Sequence, residues 1–266
     1  MDKKIDNILV IKVGTSTLTK MHANGRVALD FESFKRIGQQ IMAIRQKGYR
    51  VVVVSSAAIT AGMVDVGLTV RPDAKDDMPN LQRLASVGWR HILNAWSDAM
   101  DDVSIGELLL TKRELESHKE EAEALRVSYE LISHGNIPIV NENDAITHEE
   151  IAFGDNDTLA AIFTSKIKES KLFGDNVSLI ILSDINGVYA DIHDKHSIIK
   201  QINDLATYEN IAQNSSGGLG TGGMITKFAA AKIVHQCGVD MYIANGRTEN
   251  VIQRALNKEI GTHFNV

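Results

Sequence analysis

Ile8-Leu9-Val10-Ile11-Lys12-Val13-Gly14 is the stretch that decides the fold. Its first four residues are aliphatic without a break, the pattern of a strand buried on both faces rather than one with a solvated side. Lys12, near its end, is the anomaly, because an unpaired buried ammonium is expensive. One reading is a lysine that snorkels from a sheet edge to water. The other places it at the carboxyl end of a parallel strand, where α/β proteins bind ligands.

Runs of the same kind recur at Val51–Val54, Ile105–Leu110, Ile137–Val140, Val177–Leu182 and Met241–Ala244. Helical patterns lie between them. Asp30–Lys47 carries Phe34, Ile37, Ile41 and Ile44 at three- and four-residue spacing, and Gly48 stops it. Asn80–Met100 repeats the pattern behind Pro79, and Asp155–Ile167 and Met224–Gln236 follow, the last closed by Gly238. Strands that alternate with helices predict an α/β fold with a mostly parallel sheet covered on both faces. Ala145–Gly154 and Gly187–Lys200 interrupt the alternation and read as short hairpins or functional loops. Three prolines and no low-complexity linker leave no clean boundary, so residues 1–266 read as a single domain.

The 266 residues are 44% hydrophobic and 23% charged, which excludes wholesale disorder. The formal net charge is −6 and no dense Lys/Arg run occurs, so generic binding to nucleic acid or an anionic membrane is not expected. Cys237 is the single cysteine, which excludes an internal disulfide or a multi-cysteine zinc site; it reads as a small buried hydrophobe. The apolar start is broken by Lys12 and is too short for an export signal, and no run approaches a membrane span. A cytoplasmic protein is the expectation.

The richest chemical stretch is Gly217–Lys227, GGLGTGGMITK. Gly218, Gly220 and Gly223 formally satisfy the dinucleotide pattern, but Gln213–Ser216 is loop chemistry where a strand is required, so a dehydrogenase reading fails. A glycine-rich loop that opens a helix, with Thr221, Thr226 and Lys227 at its start, can still cradle phosphate. The bland alternative is a surface loop. Other polar groups follow strand ends: Ser55-Ser56-Ala57-Ala58, Asn141-Glu142-Asn143-Asp144, Ser183-Asp184, and Gly154-Asp155-Asn156-Asp157 at a helix start. Capping and turn formation would explain any one of them. Together they gather two lysines, several carboxylates and a phosphate loop, which suits phosphoryl transfer onto an acidic acceptor. An ionised carboxylate acceptor needs no strong general base. The nine histidines show no ligand spacing, so Mg2+ is expected only with a nucleotide.

The segments IKVGTS, VNENDAI, FGDNDTLAA, LSDINGVY and GLGTGGMITK, in this order from Ile11 to Lys227, resemble the amino-acid kinase family in its glutamate 5-kinase branch. The resemblance implies a three-layer α/β/α sandwich and transfer of the ATP γ-phosphoryl group to the side-chain carboxylate of L-glutamate, the first step of proline synthesis. It implies that Lys12 contacts the moving phosphoryl group, Lys227 holds the nucleotide phosphates and Asp157 orients both lysines. Ser56, Asn141, Asp144 and Asn156 would bind glutamate, with proline competing at the Asn141–Asp144 loop. Lys12, Ser183, Asp184, Thr221, Gly222, Gly223, Met224, Ile225, Thr226 and Lys227 would line the ATP site. The N-terminal part would hold the acceptor and the C-terminal part ATP, in a homodimer or homotetramer. No C-terminal domain of the RNA-modifying type, and so no RNA contact, is expected.

Two departures stand out. The family commonly has Ser-Gly-Ala-Ile after the second long strand, where this chain has Ser56-Ala57-Ala58-Ile59. If the backbone there has φ > 0, Ala57 costs about 1 kcal/mol. Trp89 stands where a polar residue is commoner and reads as packing. Rival readings are a relative with another acceptor, against which the NEND–GDND pair argues, and a silent glutamate- or proline-binding regulator, against which Lys12, Asp157 and Lys227 argue.

Overall fold

The computed structural model describes residues 5–23, 25–101, 103–147, 155–191, 193–208 and 223–265. The strands are β1 (Ile8–Val13), β2 (Thr19–Met21), β3 (Val27–Leu29), β4 (Arg50–Ser55), β5 (Ile105–Leu110), β6 (Ile137–Glu142), β7 (Val177–Ser183), β8 (Val188–Tyr189), β9 (Ile198–Ile199), β10 (Gln201–Ile202), β11 (Asp240–Asn245) and β12 (Thr262–Phe264). The α-helices are α1 (Thr15–Leu18), α2 (Phe31–Gln46), α3 (Ala58–Asp65), α4 (Met78–Ala99), α5 (Lys112–Glu116), α6 (His118–Ser133), α7 (Asn156–Glu169), α8 (Gly223–His235) and α9 (Val251–Leu256).

Eight strands form one sheet in the order β10-β12-β11-β7-β1-β4-β6-β5. Every neighbouring pair in it is parallel except β11 with β12. The chain leaves β1 toward β4 on one side and returns to β7 on the other. The reversal of strand order therefore falls between β1 and β7, and it opens a crevice at their carboxyl ends.

Side-chain alternation along β1 sorts the layers. Ile8 and Val10 join Val52, Leu179 and Met241 against Leu159 and Phe163 of α7 and Phe228 of α8. Leu9, Ile11 and Val13 join Val51, Val53 and Ile180 against Phe34 and Ile37 of α2 and Ile92 and Trp96 of α4. Continuous apolar runs arise because both sheet faces are covered. By the same period of two, Lys12 shares its face with Val10 and is aimed at α7 and α8.

The six strand runs and four helical patterns read from the sequence are all present, and α2 and α8 stop just before Gly48 and Gly238, whose φ values are 95° and 67°. Gly187–Lys200 holds the β8–β9 hairpin; of the other interrupting stretch, residues 148–154 lie outside the described residues. The helix that Ser55–Ala58 could cap is α3, while the β2–β3 hairpin, α5 and α6 lie outside the sequence expectations. Cys237 departs from the buried-hydrophobe reading: it is half-buried and its thiol donates to Glu169 Oε1 at 3.2 Å. Burial, and then the Glu169 carboxylate, push that thiol's pKa up.

Helices α3 and α4 cross at backbone contact. A Cβ on Gly88 would lie 1.9 Å from the Ala58 carbonyl oxygen, and one on Gly62 would lie 1.9 Å from that of Leu84. This close crossing fixes the start of α3, and with it the turn at Ser56-Ala57. Ala57 has φ 83° and ψ 7°, so the alanine does occupy a left-handed position that favours glycine.

Candidate active site

Lys12 sits inside the sheet, not at its edge, with β4 and β7 on either side. Its Nζ lies 2.6 Å from Asp157 Oδ1, and Lys227 Nζ lies 3.1 Å from Asp157 Oδ2. Lys12, Asp157 and Lys227 are only 8%, 2% and 4% exposed. Three elements supply the three groups: the end of β1, the first turn of α7 and the first turn and a half of α8. Thr226 Oγ1 adds a hydrogen bond to Asp157 Oδ2 at 3.1 Å, and Lys227 also donates to the Gly223 carbonyl at 3.0 Å. Burial pushes the Asp157 pKa up, but Lys12 and Lys227 outweigh it and hold the carboxyl below the ordinary aspartate range. A carboxylate engaged on both oxygens by lysines is a bracket for two cations, not a free base or metal ligand.

The capping explanation holds for one residue of the GDND segment. Asp155 caps α7 by accepting from the Thr158 N–H at 2.9 Å. Its neighbours Asn156 and Asp157 instead turn inward. Asn156 Nδ2 donates to Ser56 Oγ at 3.0 Å and to Asn141 Oδ1 at 2.9 Å, which ties the ends of β4 and β6 to α7. Asn141 Nδ2 in turn donates to Asp144 Oδ2 at 3.3 Å. Burial raises the Asp144 pKa, against the Asn141 hydrogen bond and the Arg71 charge. Asn141, Asp144 and Trp89 line a cavity of about 220 Å³ with Ala58 and Ala85. Trp89 thus packs as expected, with its indole N–H donating to Glu107 Oε1 at 2.8 Å, and it is also a cavity wall.

Ser183 and Asp184 end β7 beside the crevice, and the Ser183 hydroxyl donates to Asp184 Oδ1 at 3.0 Å. Gly223, Met224 and Ile225 open α8, with Ile225 half exposed. Thr221 and Gly222 lie outside the described residues. Among the described residues, no group of three His, Cys, Asp or Glu side chains is placed to hold a metal ion, and no helix is long and apolar enough to cross a membrane.

The sequence shows a glycine turn at Lys12–Ser16, but neither its closeness to the Lys12 ammonium nor the cleft beside it. A Cβ on Gly14 would lie 3.4 Å from Lys12 Nζ, so the turn after β1 runs alongside the ammonium. A larger cleft of about 890 Å³ opens beside it, between the β2–β3 hairpin and α3 with the loop that follows; Thr15, Arg26, Thr60 and Arg71 are among its lining residues. The hairpin's three-residue strands carry too weak a period-two signal to be found in sequence.

The amino acid kinase family signature matches residues 7–245. The chain is 38% identical to glutamate 5-kinase of Clostridium acetobutylicum, with 97% of this chain and 94% of that protein aligned. It is 37% identical to the Clostridium tetani enzyme of the same name over 99% and 96% of the two chains. For the Caldanaerobacter subterraneus enzyme the identity is 37%, over 96% of this chain and 67% of that one. Carbamate kinase from Giardia lamblia bound to AMP-PNP superimposes with a TM-score of 0.66 at 18% identity, covering 98% of both chains, and UMP kinase from Bacillus anthracis with 0.60 at 12%, covering 97% and 96%. The mostly parallel sheet flanked by helices, the family signature and the near-full-length relatives agree, and the chain belongs to the amino acid kinase family, in its glutamate 5-kinase branch.

Proposed function

We propose that this kinase transfers the γ-phosphoryl group of ATP to the side-chain carboxylate of L-glutamate, giving L-glutamyl 5-phosphate and ADP. The observation that carries the reading is the Lys12–Asp157–Lys227 triad at the strand-order reversal. In the transfer, a glutamate carboxylate oxygen forms the new bond to phosphorus and the bond to the β-phosphate oxygen breaks. Negative charge on the moving group is the main obstacle, so positioned cations can do the work without a nucleophilic side chain. Lys12 meets that group from the acceptor side and Lys227 from the nucleotide side. Asp157 keeps the two ammonium groups from separating, and its low pKa keeps it charged throughout.

On the acceptor side, Asn156 aligns Ser56 and Asn141, and Asp144 receives the substrate ammonium. A buried carboxylate whose charge is poorly compensated binds a cation more strongly than a solvated one does. The same loop suits proline as a competing inhibitor, because proline presents an ammonium and a carboxylate without the side-chain acceptor. Ser183, Asp184 and the residues from Thr221 to Lys227 hold ATP, with the N-terminal part of the domain serving the acceptor. Mg2+ fits as a companion of the nucleotide phosphates, since both oxygens of Asp157 are already engaged by lysines. The enzyme would then serve proline biosynthesis in the cytoplasm.

The test is ATP turnover with Mg2+ in the presence of hydroxylamine, which traps acyl phosphates. L-Glutamate, aspartate, N-acetylglutamate, carbamate and UMP are compared with and without proline. Glutamate-dependent hydroxamate that proline suppresses supports the whole reading. Activity with another acceptor reassigns the pocket, and silence with all five in a folded, ATP-binding protein removes the catalytic reading.

A further inference from the structure

We propose that Arg247 is a positioning residue that ties the nucleotide side of the crevice to the turn carrying Gly14. Its Nη2 donates to the carbonyls of Ser16 and Thr19, both at 2.9 Å, across 231 and 228 residues of sequence. Helix α1 is only four residues long, so most of its carbonyls cannot be satisfied by a following turn. Gly14 O accepts from the N–H groups of Thr17 and Leu18, Thr15 O from the Thr19 hydroxyl, and Leu18 O from the Asp30 N–H. Ser16 O and Thr19 O are the two that Arg247 takes. The guanidinium therefore stands where the next helical turn would be.

The other end of the tie runs toward β7. The Arg247 N–H donates to Asn245 Oδ1 at 3.0 Å, and Asn245 Nδ2 donates to Asn186 Oδ1 at 2.9 Å and to the Asp184 carbonyl at 3.4 Å. Between them, the Gly246 N–H donates to the Ser183 carbonyl at 2.8 Å. A Cβ on Gly246 would lie 2.5 Å from the Thr17 side chain, so this turn and α1 are in close contact. What Arg247 steadies bears on two parts of the site. Upstream lies Gly14, against the Lys12 ammonium and bonded through its N–H to the Leu182 carbonyl. Downstream, Thr19 begins the β2–β3 hairpin that walls the 890 Å³ cleft. The bonds through Asn245 and Arg247 thus give a nucleotide held at Asp184 a direct mechanical route to both. Arg247 touches no reacting atom, and its side chain is exposed, so its loss leaves the core intact.

The kinetic arm of the test rests on the glutamate reading; the exchange arm does not. Amide hydrogen exchange over residues 15–21 is followed with and without adenylyl imidodiphosphate in wild type, Arg247→Ala and Arg247→Lys. In wild type the nucleotide slows exchange there, in Arg247→Ala that slowing is lost, and Arg247→Lys, which keeps one donor group, retains part of it. With glutamate and ATP saturating, Arg247→Ala lowers kcat about tenfold while KM for ATP stays within about twofold, because misplacement by a fraction of an ångström acts on the reacting geometry. Undiminished protection in Arg247→Ala overturns the proposal, and so does a wild-type kcat in that variant. If the wild type shows no glutamate-dependent turnover, the functional reading fails and exchange alone decides the role of Arg247.

Discussion

The molecule holds two aspartates at the crevice, Asp157 buried at the start of α7 and Asp144 half-buried just after β6, whose pKa values move in opposite directions. Asp157 has a lysine on each oxygen, and its carboxyl is held below the ordinary range despite burial. Asp144 is half-buried, its close partner is the neutral amide of Asn141, and its carboxyl is raised. The more deeply buried aspartate has the lower pKa, so the difference is the supply of cations from the protein itself. Asp157 is electrostatically complete and organises groups that are already there. Asp144 is incomplete, and a ligand ammonium would complete it. That division separates machinery for charge on the moving phosphoryl group from machinery for recognising an amino acid.

The largest effect that would break the comparison comes from the complete cluster. Lys12→Ala should lower kcat by about 10²–10³-fold, the worth of one donor aimed at charge that develops in the transition state, with little change in KM for ATP. Steady-state kinetics in both substrates checks it, and wild-type turnover would remove Lys12 from the chemistry. The stability that Asp157 contributes in wild type is present above the ordinary aspartate range and is lost only as pH falls below it. Lys12→Ala leaves a single counter-charge, so acid unfolding should begin at higher pH.

Next is the scaffold of the acceptor cluster. Gly88→Ala puts a Cβ into the Ala58 carbonyl and the Gly62 nitrogen, and both are backbone that cannot step aside cheaply. Overpacking of this kind should destabilise by about 3 kcal/mol in urea unfolding. KM for glutamate should also rise, because Ser56 and Ala57 move with the start of α3. A variant that loses stability but keeps wild-type glutamate KM would show that the crossing does not position the acceptor cluster.

Asp144→Asn sharpens the electrostatic half. It should raise KM for glutamate about thirtyfold, equivalent to a charge-assisted hydrogen bond of about 2 kcal/mol, and weaken proline inhibition in parallel. In wild type, glutamate binding should fall as pH drops through the raised Asp144 pKa, at a higher pH than an ordinary aspartate would set. That limb should vanish in the asparagine variant. KM for glutamate measured across acidic pH in both proteins reads the sign directly, and an unchanged limb would place the titration elsewhere.

How much of this was legible beforehand follows from physical range. β1, β4, β6, β7 and β11 announce themselves because both sheet faces are covered, so their apolar runs are nearly continuous. Lys12 was legible as an exception to such a run, but not its pairing: Asp157 is 145 residues away in sequence, and the ion pair depends on β1 lying between β4 and β7. The NEND and GDND segments were legible as polar clusters by composition. Which member caps a helix and which turns inward is set by where α7 starts, and Asp155 and Asp157 differ by two residues only. Helices α5 and α6 abut at Ser117, so their apolar positions do not form one continuous helical stripe in the sequence. The β2–β3 hairpin is too short for its alternation to rise above that of a loop.

The smallest expected effect concerns Ala57. Its φ of 83° is strained for alanine by about 1–2 kcal/mol, while glycine in its place adds about 0.4–1 kcal/mol of unfolded-state entropy. The two oppose each other, so Ala57→Gly should stabilise by no more than about 1.6 kcal/mol, read as a shift in the urea midpoint at constant slope. The effect on the site is the sharper question. The Ser56 N–H reaches the Val13 carbonyl at 3.1 Å, and the Ser56 hydroxyl accepts from Asn156 Nδ2 at 3.0 Å, so the acceptor cluster's hydrogen bonds are made around the strained alanine. Stability should therefore rise while KM for glutamate stays put. If KM falls together with the gain in stability, the alanine has moved the turn, and the incomplete cluster is held less firmly than the complete one beside it.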